Sequence, residues 1–170
     1  LVSDGIELIR PPLKNEAIVE AKDHEIEFRG ETQTVTLLQS SMPDHPFIVR
    51  TILLALQKID VQPIHSINSI LSIERDKTSA LKKIGLAEPG SANMVSLVQM
   101  VLPHVSAENR KELIASLKVS LRDIQAMVQD FQPMKDKLAE CQTELQEEER
   151  QFVDWVLGNN FVLMGIQSIR

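Results

Sequence analysis

Two hydrophobic rhythms alternate along this chain, and their order restricts the folds it can adopt. A strand turns its side chains to opposite faces at every residue, whereas a helix returns to one face every three to four. Thr34-Val35-Thr36-Leu37-Leu38 is β-branched and apolar, which predicts a strand. Ile48, Ile52, Leu56 and Ile59 follow at helical spacing, widened by Leu53 and Ala55, and predict a helix of about fifteen residues. Residues 63–75 alternate again, with His65, Ile67, Leu71 and Ile73 on one parity. Met94 to Leu102 is apolar on both parities, the mark of a strand in the middle of a sheet. Beyond Pro103, Leu113, Leu117, Leu121, Ile124, Val128 and Phe131 step by threes and fours along one long helix. Pro133 should break or kink it. Met134, Leu138, Cys141 and Leu145 resume the spacing, and Phe161 to Ile169 reads as a closing strand.

Strand, helix, strand, strand, long helix, helix, strand follows the βαββαβ plan of an α+β, ferredoxin-like sheet with helices on one face and a long C-terminal helical extension. The first thirty residues read as irregular. Pro11-Pro12 stops an early helix, His24 to Phe28 suggests a short hairpin arm, and Gly30 suits a turn. Asp76 to Asn93 reads as a loop with one helical turn at 80–84.

Composition narrows the function. With 18 basic and 24 acidic residues the net charge is −6, and aromatic residues make up 4% with no tyrosine. Such a chain lacks both the basic face and the stacking platforms that nucleic acid requires. No apolar run approaches the ~20 residues of a membrane helix, so no membrane partner is expected. A single cysteine excludes a disulfide framework. With no leader at its start, the chain is expected in a reducing cytoplasm. It begins at Leu1 and stops in what reads as a strand, which suggests a fragment of a longer protein.

Chemistry is sparse. His24, His45, His65 and His104 contain no i, i+4 metal pair, and no metal site is expected. There is no phosphate-binding glycine loop, no nucleophile elbow and no dinucleotide fingerprint, so neither catalytic residues nor a cofactor site is assigned. Glu147 to Glu149 read as a solvated helix face and Cys141 as a buried helical residue. The segment with functional shape is the helix start, Asp44-His45-Pro46-Phe47, where free amides could receive a carboxylate or phosphate. Capping by Asp44 is the more ordinary use of those amides, with Pro46 in the first turn and Phe47 and Ile48 in the core. On that reading Asp44→Ala costs about 1 kcal/mol, and Phe47→Ala about 3–5 kcal/mol. The ligand candidates are therefore Asp44, His45, Pro46, Phe47 and, from the next strand, His65.

Asp44, Pro46 and Ile48 resemble the D-x-P-G-x-L helix start of ACT domains, ferredoxin-like modules that sense amino acids, with Phe47 in place of the glycine. A narrower resemblance accounts for the phenylalanine. Asp44-His45-Pro46-Phe47-Ile48-Val49-Arg50-Thr51-Ile52 is similar to the D-D-M-P-F-L-V-D-S-V segment of the large bacterial NAD-specific glutamate dehydrogenases, with Arg50 replacing an acid. Ile64, His65 and Ile67 match that family's I-H-L-I-I-H strand, in which Ser69 replaces the second histidine. Asp130-Phe131-Gln132-Pro133-Met134 resembles D-W-x-x-M. Phe152 to Val156 and Asn160 to Ile166 resemble F-L-x-W-L and H-F-T-F-L-G-Y. The chain departs from the family at Val98 to Pro103, where its charged residues are missing, and at Ile166, which replaces a tyrosine.

The resemblance implies an N-terminal arm over 1–31, an ACT-like domain over 32–132, and an extension over 133–170 leading into the next domain of a parent enzyme. That parent would convert L-glutamate and NAD to 2-oxoglutarate, ammonia and NADH, with NAD bound elsewhere than in this chain. The implied role here is non-catalytic: regulation, an amino-acid effector held near Asp44 and His65, or assembly of a homo-oligomer. Partners would be the other domains and subunits of the parent. A stand-alone oligomerisation domain is the alternative. Phe152, Trp155 and Phe161 are expected to form an apolar cluster that favours self-association.

Overall fold

A computed structural model describes residues 2–12, 16–28, 30–88, 90–91 and 93–167. Two compact units divide the chain, 1–122 and 123–170.

The first unit is built on five antiparallel strands: β1 (Ile18–Phe28), β2 (Glu31–Pro43), β3 (His65–Arg75), β4 (Leu81–Leu86) and β5 (Met94–Pro103). Their order across the sheet is β1-β2-β5-β3-β4. Helix α2 (Ile48–Lys58) carries the chain from β2 over to β3 with β5 between them, the split βαβ connection of a ferredoxin-like sheet. The expected fold class is what the structure has, and β5 is central as its apolar parities required.

The edge beside β2 differs from expectation. In the βαββαβ plan a C-terminal strand pairs there, and residues 161–169 were expected to supply it. Instead the N-terminal β1 pairs with β2 over its whole length, from Ile18↔Ser41 to Phe28↔Glu31. Residues 161–167 form no strand, and 168–170 lie outside the described residues. The opening segment is therefore not irregular: it holds helix α1 (Val2–Ile9) and an eleven-residue strand. Lys22, Asp23, Glu25 and Glu27 hide β1 from a reading based on apolar alternation, and such charges suit an exposed edge strand. Gly30, between β1 and β2, takes φ +80°, a conformation glycine adopts at no steric cost. Likewise 81–86 is a strand rather than a helical turn, reached through a bulge at Glu74/Arg75 and an Asp76-centred turn. The Asp76 carboxylate accepts from the Thr78 hydroxyl and from the Thr78 and Ala80 amides, which holds its carboxyl below the usual range.

Both faces of the sheet are covered. The Val105 amide donates to the Thr36 hydroxyl (2.9 Å), which fixes the start of helix α3 (Ala107–Cys141) on the Thr36 face. Helix α2 lies beside α3, the two lining a common cleft through Thr51, Ala55 and Ser120. Thr36 pairs with Leu102, so Leu102, Met100 and Val98 share this face and are buried. Val95 and Leu97 have the other parity and point the opposite way. There they join Leu8 and Ile9 of α1 and Ile73 in a second apolar cluster. Gly5 lets α1 lie close, since an added Cβ would meet Leu97 at 3.0 Å and Gln99 at 3.3 Å. So α2 and α3 share one face as expected, and α1 covers part of the other.

Helix α3 runs through Pro133 without interruption and enters the second unit. The apolar spacing stays in phase on both sides of the proline, with Leu121 and Met134 buried. In the second unit, a short 3-10 turn (Gln142–Glu144) precedes helix α4 (Glu147–Trp155), which opens on a Gln146/Glu149 capping box and passes into a π turn at Val156–Asn160. Cys141, expected to be buried, is exposed, with its thiol directed at the Lys137 carbonyl (3.3 Å).

Candidate functional site

The helix start follows directly from the end of β2. The Asp44 amide donates to the Met94 carbonyl (2.9 Å), extending the β2–β5 ladder by one bond before the chain turns. Asp44 does not cap α2. The cap position belongs to Phe47, three residues later, at φ 75° and ψ −3°, with no side-chain cap bond. The Phe47 carbonyl accepts from the Thr51 amide (2.9 Å), the first helical bond. Pro46 thus lies in the turn before the helix, and the helix is eleven residues long. With Phe47 in the cap position, Asp44 stands four residues before the first helical residue, Ile48.

Phe47 is the informative residue. It stands where the ACT pattern has glycine and keeps the positive φ that glycine accommodates at no cost. Its ring is 47% exposed rather than packed in the core, while Ile48 is buried as expected. A phenylalanine in this conformation carries backbone strain of about 1–2 kcal/mol. The ring is therefore not the core anchor that its size suggested.

Partial burial pushes the Asp44 carboxyl above the usual carboxylate range, opposed by the nearby His45. The His45 Nδ1–H donates to the Pro46 carbonyl (2.9 Å), which orients the ring. Its Nε2 is enclosed with no hydrogen-bond partner among the described residues. His65 is exposed at the start of β3 and pairs with Val101. Asp44 is bonded to Met94, seven residues away along β5, so the two sites lie roughly 23 Å apart at strand rise. Asp44, His45, Pro46 and Phe47 form one turn; His65 does not join them.

Beside this turn, a cleft of about 360 Å³ is lined by Pro12, Pro43, Ile73, Arg75, Asn93, Met94 and Val95. Its one charged group is already engaged. Arg75 donates through Nη2 to the carbonyls of Ile9 (2.7 Å) and Pro11 (2.8 Å), and through Nη1 to those of Arg10 (2.8 Å) and Ser79 (3.2 Å). The guanidinium closes the C-terminal end of α1, whose carbonyls have no helical partners. A second polar centre joins β1 to α3. Asp23 accepts from the Thr36 hydroxyl (3.1 Å) and pairs with Arg110 (2.6 Å) and His104 (3.4 Å). Desolvation acts to raise the Asp23 carboxyl, but the Thr36 hydroxyl and Arg110 outweigh it and hold the carboxyl below the usual range. Spacing in the sequence gave no signal for either centre, since each joins elements that meet only in the folded sheet.

Among the described residues, no group of three or more His, Cys, Asp or Glu could hold a metal ion. No described helix is long and apolar enough to cross a membrane.

Comparison with known proteins follows this architecture. The NAD-specific glutamate dehydrogenase of Halomonas elongata is 27% identical over 158 residues, covering 83% of this chain and 10% of that protein. The NAD-specific glutamate dehydrogenase of Pseudomonas aeruginosa is 26% identical over 158 residues, covering 84% of this chain and 10% of that protein. The chain thus spans about a tenth of the length of the curated relatives it matches. No solved structure matches it. The family model for the ACT1 domain of glutamate dehydrogenase matches residues 5–119, from α1 through the first third of α3, and the chain belongs to that family.

Proposed function

We propose that this chain is the N-terminal regulatory domain of a large NAD-dependent glutamate dehydrogenase, a cytoplasmic enzyme that converts L-glutamate and NAD to 2-oxoglutarate, ammonia and NADH. The observation that carries the reading is the family match over 5–119, which coincides with the five-stranded sheet and its split βαβ connection. In this reading 32–132 is the ACT-like domain, 133–170 leads toward the next domain, and NAD binds elsewhere in the parent. The domain acts through contacts with other domains or subunits of a homo-oligomeric enzyme.

Holding an amino-acid effector is the second reading, favoured by the exposed Phe47 ring, which can move aside without opening the core. Against it stands the roughly 23 Å between Asp44 and His65, too far for one small ligand to touch both. We therefore expect no saturable rise in melting temperature with common amino acids at millimolar concentration. A rise abolished by Asp44→Ala would establish sensing.

The test of the main reading compares the parent enzyme with a version lacking residues 1–170. Retained glutamate-dependent NADH formation, with altered effector response or oligomer mass, is expected. The purified chain itself should form no NADH from glutamate. Turnover by the chain alone, or a well-folded truncated enzyme with no turnover, would overturn the assignment.

A further inference from the structure

Helix α4 presents an aromatic pair to solvent. Phe152 and Trp155 stack with ring centroids 6.2 Å apart and planes at 23°, yet they are 64% and 50% exposed. The opposite side of the helix is satisfied, with Val153 buried. Helical spacing puts Glu148, Phe152 and Trp155 in one row, at i, i+4 and i+7. Glu148 is exposed and has no ion-pair partner among the described residues, whereas its neighbour Glu147 pairs with Arg150 (3.7 Å). Charge is concentrated in the same unit. Residues 123–170 contain nine acidic and four basic side chains, against fifteen and fourteen in 1–122. Nearly all the protein's net charge of −6 therefore lies in the unit that carries the exposed rings, and α4 itself holds Glu147, Glu148, Glu149 and Asp154 against Arg150.

We propose that the Phe152–Trp155 face of α4 is a docking surface for a basic amphipathic helix from another protein domain. Paired aromatics supply the apolar anchor that interfaces concentrate at their centres. The acidic surroundings select the sign of the rim, attracting lysine or arginine and repelling acidic partners. A second copy of this chain is a poor occupant, because it would bring the same excess of negative charge to the same face. An anionic membrane is disfavoured for the same reason.

Trp155 is the sole tryptophan, so its fluorescence reports on this surface alone. The experiment titrates the 170-residue chain with a synthetic leucine–lysine amphipathic helix, with its leucine–glutamate counterpart, and with vesicles of anionic lipid. A saturable blue shift is expected with the lysine peptide only, weakening as salt shortens the reach of the charges. Phe152→Ala should lower the peptide affinity about tenfold while leaving the circular-dichroism melting curve in place. The combined substitution of Glu147 and Glu148 by lysine, which leaves the Glu149 capping contact in place, should reverse the preference between the two peptides. The proposal is overturned by no shift with the lysine peptide, by equal binding of the glutamate peptide or the vesicles, or by binding indifferent to both variants. A shift that grows with protein concentration alone would overturn it in favour of self-association.

Discussion

The two units of this chain differ in how much of their apolar side-chain surface they bury. In residues 1–122, Met42, Leu56, Leu102, Leu117 and Leu121 are sealed completely between the sheet and its helices. Both sheet edges carry charges, Lys22 and Glu25 on β1 and Lys82 and Lys83 on β4, which discourages open-edge pairing. In residues 123–170, Met134, Val153 and Val156 are buried, while Phe152, Trp155, Phe161, Val162, Met164 and Ile166 stay in solvent. A segment of this size has too little interior to enclose its own aromatics. Of the three residues expected to cluster, Phe152, Trp155 and Phe161, the first two stack, and they do so on the surface. In this chain the larger share of apolar side chains is buried in the first unit and exposed in the second.

The sharpest way to break that contrast is to truncate one fully buried residue of the first unit. Leu117→Ala should cost about 2–5 kcal/mol by transfer and cavity terms together, read as a lower denaturant midpoint with an unchanged slope. A negligible loss would mean the sheet and α3 are not one cooperative core.

Arg75→Ala should come next. It strips four carbonyls of a charged donor and costs about 1.5–3 kcal/mol. The backbone amides of α1 should then exchange faster than those of β5, which would localise the loss to the helix that Arg75 closes.

Phe47 separates conformational strain from packing. Phe47→Gly relieves the positive φ while Phe47→Ala keeps it, so the glycine variant should be the more stable by about 1 kcal/mol. Equal midpoints, or a loss of about 3–5 kcal/mol in both, would restore the ring to the core. At the small end, Phe152→Ala should change stability by no more than about 0.5 kcal/mol, despite removing an aromatic ring.

Acid titration supplies a contrast of sign within the first unit. Asp23 is held low when folded, so its contribution is present above its unfolded pKa and is lost as pH falls through the folded value. Asp44 is raised, so its contribution is greatest when protonated and is lost as pH rises through the folded value. At neutral pH Asp23→Asn should therefore lower the melting temperature and Asp44→Asn should raise it slightly. Shifts of the same sign would refute this account of their surroundings.

The split βαβ connection, the central place of β5 and the long amphipathic α3 were legible because each shows as a period in the apolar residues, and those periods follow from backbone geometry alone. The site was legible only as a segment. Residues 44–47 do form the turn into α2, but which residue caps the helix depends on one backbone dihedral, at Phe47, that composition does not reveal. Pairing across the sheet was beyond the sequence. β1 is too charged to announce itself, β4 is short and holds two lysines, and only the β2 edge left open by the topology shows why the N-terminal segment is a strand. His65 and Asp44 belong to neighbouring motifs in the chain, yet antiparallel pairing on β5 sends them to opposite ends of one strand. Apolar periods decided which elements form. Long-range hydrogen bonding and burial decided where they lie, because those energies depend on partners that local sequence does not name.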